Sequence, residues 1–125
     1  MKILIVGAGT VGSAICAQLE GEGHDVTVVD RNAHSLEEIE ASFDVATVIG
    51  NGAEIAVLRR AGADGAELLI AVTSSDEINI LCCAAAKKLG TRNTVARVRN
   101  PEYAGQLYEL KNDFGLSIHL YPSVA

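Results

Sequence analysis

Tryptophan is absent from this chain of 125 residues, and aromatic residues make up only 4% of it. Hydrophobic residues nevertheless reach 49%, so the core falls to Val, Ile, Leu and Ala, the composition of parallel strands buried beneath helices on both faces. No apolar run approaches the roughly 18 to 20 residues of a membrane span, and Met1 leads straight into a strand-like run rather than a signal peptide. The expectation is a soluble, cytosolic domain that is not itself inserted in a membrane. Basic clusters are also missing from a chain of net charge −6, which argues against nucleic acid as a partner, because a phosphate backbone is gripped by clustered cations. At this length a single domain with one core is expected.

Cysteines number three, an odd count without CxxC spacing. Cys16, Cys82 and Cys83 fall inside helix-patterned segments, so neither a disulfide framework nor a zinc site is supported. They read as reduced core thiols, and Cys82 in particular occupies an apolar stripe where a small hydrophobe belongs. His24, His34 and His119 match no metal-ligand spacing. There is no Ser/His/Asp set, no suggestive Cys/His pair and no YxxxK spacing. A hydride-transferring enzyme would also need a substrate domain, for which no sequence is left. A binding module fits better than an enzyme; the rival is the cofactor domain of a small NAD-dependent oxidoreductase whose catalytic part lies elsewhere.

What is present is a repeating unit, a Val/Ile-rich run followed by small polar residues and then a helix-periodic stretch. Strands are expected at KILIVG, DVTVVD, VATVIG, LLIAVT, TVARVR and SIHLYP, with helices between them. Ser74-Ser75-Asp76-Glu77 has the Ser-x-x-Glu form of a capping box, with Ser74 as N-cap and Glu77 as its partner. Behind it Ile78, Leu81, Cys82, Ala85 and Leu89 keep helical spacing. Asn100 before Pro101 reads as a further N-cap, and Gly23, Gly90 and Gly115 as helix-closing glycines in the left-handed conformation. Right-handed crossovers between six strands build an open parallel sheet in the order 3-2-1-4-5-6 or a close variant.

The opening stretch MKILIVGAGTVG places Gly7, Gly9 and Gly12 in GxGxxG spacing after a strand and at the start of a helix. Asp30 closes the second strand about 20 residues on, which makes the pattern that of a dinucleotide site. Gly7 permits the tight turn, Gly9 lets the backbone N–H groups of the Gly7–Gly12 loop approach a pyrophosphate, and Gly12 lets helix pack on strand. The loop, with Ala8, Thr10 and Val11 between its glycines, would lie beneath the phosphates at the positive end of the helix. Asp30 would accept the ribose hydroxyls and repel a 2′-phosphate, favouring NAD(H) or ATP/ADP over NADP(H), with Arg31 beside it able to offset part of that repulsion or to stack on adenine. The expected fold class is α/β: a single-domain, three-layer, doubly wound parallel sheet of six strands, the Rossmann fold.

Small or hydrogen-bonding residues gather at the C-terminal ends of the other strands too: Asn51 and Gly52, Thr73 and Ser74, Arg97 and Arg99. The hydroxyls of Thr73 and Ser74 can donate to a distal phosphate or to a ribose. Arg97 and Arg99 alternate with Ala96 and Val98, so both project from one face, and arginines in a buried strand need an anion. A bound phosphate or a protein carboxylate would serve, the latter especially for Arg99.

These residues, with LRRAGADGAELLIAVTSSDEINI and ARVRNPEY, give a sequence that resembles the TrkA N-terminal domain, also called the KTN or RCK domain, nearly end to end. That family regulates potassium uptake systems and ligand-gated potassium channels from the cytosol. The resemblance implies NAD(H) or ATP/ADP bound at Gly7, Ala8, Gly9, Thr10, Val11, Gly12, Asp30, Thr73, Ser74 and Arg97, with adenine near Asn51 and Gly52. It implies a homodimer or higher ring oligomer, held at the inner face of the membrane by a membrane-embedded potassium-translocating subunit. Residues 1–125 are expected to correspond to the nucleotide-binding lobe, without the crossover helix and second lobe into which similar proteins continue past YPSVA. Ala53 stands where the family often carries Ser or Thr.

Overall fold

The computed structural model describes residues 1–110 and the backbone of strand residues 118–121. Strands β1 (Lys2–Val6), β2 (Asp25–Asp30), β3 (Ala46–Ile49), β4 (Leu68–Ala71), β5 (Asn93–Arg97) and β6 (Ile118–Tyr121) alternate with helices α1 (Thr10–Leu19), α2 (Ala33–Ser42), α3 (Ile55–Ala61), α4 (Asp76–Leu89) and α5 (Pro101–Leu110). A short 3₁₀ turn, Ala63–Gly65, follows α3. All pairings are parallel and the strand order is β3-β2-β1-β4-β5-β6, the doubly wound order expected from the sequence.

Period-two alternation explains the two cores. Ile3 and Ile5 of β1 point with Val26 and Val28 of β2 towards α1 and α2, where Cys16, Leu36 and Ile39 close the layer. Leu4 and Val6 point the other way, with Val29, Leu69, Ala71 and Ala96, towards Val57, Leu58, Cys82, Cys83 and Ala86 of α3 and α4, and Leu107 of α5. Because every strand runs the same way, all their C-terminal ends open at one edge, and the order reverses there between β1 and β4. At the outer end of the sheet β3 is only four residues long, and the Arg60 guanidinium donates to the Ile49 carbonyl at 2.8 Å.

Some local expectations are corrected. Helix α4 is capped by Ser75, whose hydroxyl accepts from the Ile78 N–H at 3.2 Å, not by Ser74. Its buried stripe is Asn79, Cys82, Cys83 and Ala86, while Leu81 is 55% exposed. The face is turned because Asn79, a polar residue that patterning assigns to solvent, finds four partners inside. Gly90 does close α4 in the left-handed region (φ 118°), and Asn100 accepts from the Glu102 N–H at 3.0 Å as the N-cap of α5. Gly23 does not close α1, which ends at Leu19 with Glu20 extended; Gly21 and Gly23, both at positive φ, shape the turn into β2. Gly115 lies outside the described residues.

Candidate functional site

Beyond Val6 the chain turns sharply at Gly7 (φ 119°), where a Cβ would come within 2.9 Å of the Val72 carbonyl. Gly12 lies directly behind it, and a Cβ there would stand 1.9 Å from the Gly7 oxygen. Between them Gly9 is the N-cap of α1, with no side-chain hydrogen bond to the helix and no acidic residue in the first turn. The first-turn N–H groups, and the positive end of the helix dipole with them, are therefore available where Gly9, Thr10 and Val11 wall a crevice. A Cβ on Gly9 would meet nothing within 4 Å, so what it would fill is open crevice rather than protein. This is the arrangement that admits a phosphate group.

Asp30 stands opposite. Its Oδ2 accepts the Ala8 N–H at 2.7 Å and its Oδ1 the Asn32 N–H at 2.8 Å, so one carboxylate pins the glycine turn to the start of α2. A carboxylate has about four lone-pair sites, leaving capacity for two hydroxyl donors from the crevice. Asn32 in turn caps α2 through the Ser35 N–H at 3.1 Å. Arg31 is exposed at the rim. On the third strand's side, Asn51 folds its Oδ1 onto the Ala53 N–H at 3.0 Å, and Gly52 is buried so tightly that a Cβ would lie 2.3 Å from Val6 Cγ1. The lack of a side chain at Gly52 thus has a packing cause.

At the fourth strand Asn79, fully buried, makes a clamp. Its Oδ1 receives the Thr73 N–H at 2.9 Å and meets the Thr73 hydroxyl at 2.6 Å; its Nδ2 donates to the Thr73 carbonyl at 3.1 Å and the Arg97 carbonyl at 2.8 Å. One helix side chain therefore joins the ends of β4 and β5. The Ser74 side chain is exposed, while its carbonyl accepts from the Arg99 guanidinium at 3.0 Å. Arg99 reaches the same crevice as Arg97, as expected, but not from a buried strand, because β5 ends at Arg97 and Arg99 is exposed. Asp76 binds the backbone N–H groups of Arg99 and Asn100, at 2.9 and 2.8 Å, rather than a guanidinium.

These segments enclose a crevice of about 630 Å³, within the usual size of a small-molecule site. Of the sequence-expected residues, Gly7, Gly9, Thr10, Val11, Asp30, Arg31, Asn51, Gly52, Thr73, Ser74, Arg97 and Arg99 line it. Ala8 and Gly12 do not: Ala8 is buried with its N–H on Asp30, and Gly12 lies under the turn. Asn32, Ser35, Gly50, Ser75 and Ile78 line it as well and were not foreseen. Asn79 was missed although a lone Asn amid an apolar helix stretch is itself a signal for a buried polar clamp.

Among the described residues no group of His, Cys, Asp and Glu is arranged to hold a metal, and no helix is long and apolar enough to cross a membrane. The three cysteines are buried and free. Burial pushes the Cys83 thiol up to about 12, against a partly offsetting hydrogen bond from Thr94. Burial, and then the neighbouring Cys83, push Cys82 well up, and burial also raises Cys16. Such thiols lack the thiolate character of a redox sensor.

A doubly wound sheet with a glycine turn, an open helix N-terminus and an acid at the tip of the second strand defines a Rossmann-type nucleotide-binding domain. Over residues 3–117 the sequence matches the TrkA-N domain, and the chain belongs to that family. It is 45% identical over 107 residues to the Trk system potassium uptake protein TrkA of Vibrio alginolyticus, covering 85% of this chain and 23% of that protein. The chain thus spans about a quarter of that relative's length. Among solved structures, the TrkA-N domain of the inner membrane protein ybaL from Escherichia coli superposes with a TM-score of 0.83 at 20% identity, over 98% of this chain and 87% of that one. The GsuK channel bound to NAD superposes with a TM-score of 0.78 at 24% identity, over 97% of this chain and 21% of that one.

Proposed function

We propose that the chain is a nucleotide-sensing regulatory domain of a potassium transport system, binding NAD(H) or ATP/ADP in the crevice and carrying out no chemistry on it. The observation that carries this is the uncapped first turn of α1, with its open space at Gly9, facing a ribose-type acceptor at Asp30. Thr10 and Val11 lie under the phosphates, Arg31 and Asn51 border the adenosine half, and Arg97 supplies positive charge at the far end. The names of the relative and of the NAD-bound channel support the same reading.

In this reading the domain works as a homodimer or higher ring beneath a membrane-embedded potassium-translocating subunit, at the cytoplasmic face of the membrane. Nucleotides that differ in charge and reach favour different arrangements of the ring, and differential affinity for those arrangements moves the gate. Calorimetric titration with NADH, NAD, ATP and ADP, paired with small-angle scattering, tests it. At least one nucleotide is expected to bind, and different nucleotides to give different affinities or shapes. Absence of binding by all four, or identical affinities with unchanged scattering, refutes the sensor.

A further inference from the structure

The amide of Asn79 can be oriented without ambiguity. Its Oδ1 faces the Thr73 N–H, a donor, and its Nδ2 faces the carbonyls of Thr73 and Arg97, both acceptors; a flipped amide would set donor against donor and acceptor against acceptor. Oδ1 therefore accepts, and the 2.6 Å contact to Thr73 Oγ1 must carry the threonine's own proton. A longer approach of the same hydroxyl to the Ser75 carbonyl, 3.2 Å, also draws the proton into the protein. One lone pair of Oγ1 takes the Ser75 N–H at 3.2 Å. A hydroxyl has one proton and two lone pairs, so the capacity left on Thr73, which lines the crevice, is a single acceptor.

We propose that Asn79 is a specificity-determining positioning residue: by holding the Thr73 proton inward it leaves Thr73 only an acceptor towards the crevice, selecting a ligand that brings a sugar hydroxyl to Thr73 over one that brings only phosphate oxygens there. In this proposal the Thr73 hydroxyl accepts from a ribose, where the sequence reading has it donating to a distal phosphate or to a ribose. A phosphate oxygen set against that lone pair is repelled, whereas the second ribose of a dinucleotide supplies the donor it lacks. The inference rests on the nucleotide-binding reading above and narrows it to ligands with a second sugar.

The matched probes are ADP and ADP-ribose, which share the adenosine diphosphate and differ by that sugar. Affinities of the whole chain for both are measured by calorimetry for the unaltered protein, Thr73→Val and Thr73→Ser. Thr73→Val is expected to weaken ADP-ribose by about 5-fold or more, the loss of one hydrogen bond, with ADP within about 2-fold, and Thr73→Ser to restore ADP-ribose. Equal losses for both ligands, a loss for ADP alone, or no change in either overturns the proposal. In Asn79→Ala the freed hydroxyl can turn outward, so the preference for ADP-ribose over ADP is expected to shrink; that ratio is the same at any folded fraction, and an unchanged ratio overturns the role of Asn79. If the unaltered chain binds neither probe, the nucleotide reading itself has failed, an outcome distinct from the others.

Discussion

Replacing Gly9 by alanine separates a phosphate cradle from a packing turn. The backbone at Gly9 has φ −82° and ψ −156°, accessible to any L-residue, and the added methyl meets nothing within 4 Å. Alanine is a poorer N-cap than glycine by up to about 1 kcal/mol, while the loss of glycine's freedom in the unfolded chain returns about 0.4–1 kcal/mol. Stability should therefore stay within about 1 kcal/mol, or about 4 °C in melting temperature for a domain of this size. The methyl nevertheless occupies the space over the first-turn N–H groups, and displacing a phosphate by one charge-assisted hydrogen bond costs about 1.5–3 kcal/mol, a roughly 10- to 150-fold rise in Kd. Thermal melts and titration with NADH and ADP read the two quantities independently. Gly12→Ala gives the contrast: its methyl would lie 1.9 Å from a backbone oxygen that cannot step aside, so the fold is expected to fail before binding is asked. A Gly9→Ala protein that binds both nucleotides as tightly as the parent would refute the reasoning.

Asp30→Asn should weaken every adenosine ligand by about 10-fold, because an amide has a single acceptor oxygen for two backbone N–H groups and a ribose; faster hydrogen exchange at Ala8 should accompany it, and unchanged affinity would place the ribose elsewhere. The buried thiols make a prediction about alkaline pH: the neutral thiol is favoured by folding, with Cys83 going from an ordinary 9.0 to about 12, so its contribution is intact below pH 9 and is lost as pH rises from 9 to 12. Urea titrations should show stability falling by about 1.4 kcal/mol per pH unit in that window from Cys83 alone, with Cys82 acting in the same direction; a flat profile would mean the thiols are not buried. Thr91→Val should cost about 1 kcal/mol in urea melts, since Thr91 is 1% exposed and its hydroxyl donates to the Ala63 carbonyl at 2.6 Å, leaving that oxygen only the longer 3.3 Å bond from the Ala66 N–H.

The parts of the molecule that could be read in advance are those in which the cause is local or generic. Gly7, Gly12 and Asp30 announce themselves because a tight turn, a close helix approach and a strand-end acid need those residue types at those distances along the chain. Strand order followed from βα alternation and crossover handedness, which need no side-chain detail. What could not be read depends on partners distant in sequence. Nothing near Asn79 reveals that the carbonyl of Arg97 awaits it, so the face of α4 was set by the apolar residues Ile78 and Leu81 and came out rotated. The cap moved from Ser74 to Ser75 for the same reason, since either serine has the right chemistry and only the packing of α4 chooses. Arg99 was placed on a strand because alternation continues past Arg97, where the sheet does not.

The clip between Arg60 and the Ile49 carbonyl bears on how such a domain behaves at high concentration. A parallel sheet ends in a row of peptide groups that would accept any passing extended chain, and fibrils grow by that kind of recruitment. Here the outermost strand is cut to four residues, and a long cationic side chain from α3 occupies one of its free oxygens, so an incoming strand meets a charge where it needs a vacant acceptor. An extended chain that approaches this edge is thereby kept from zipping onto its backbone.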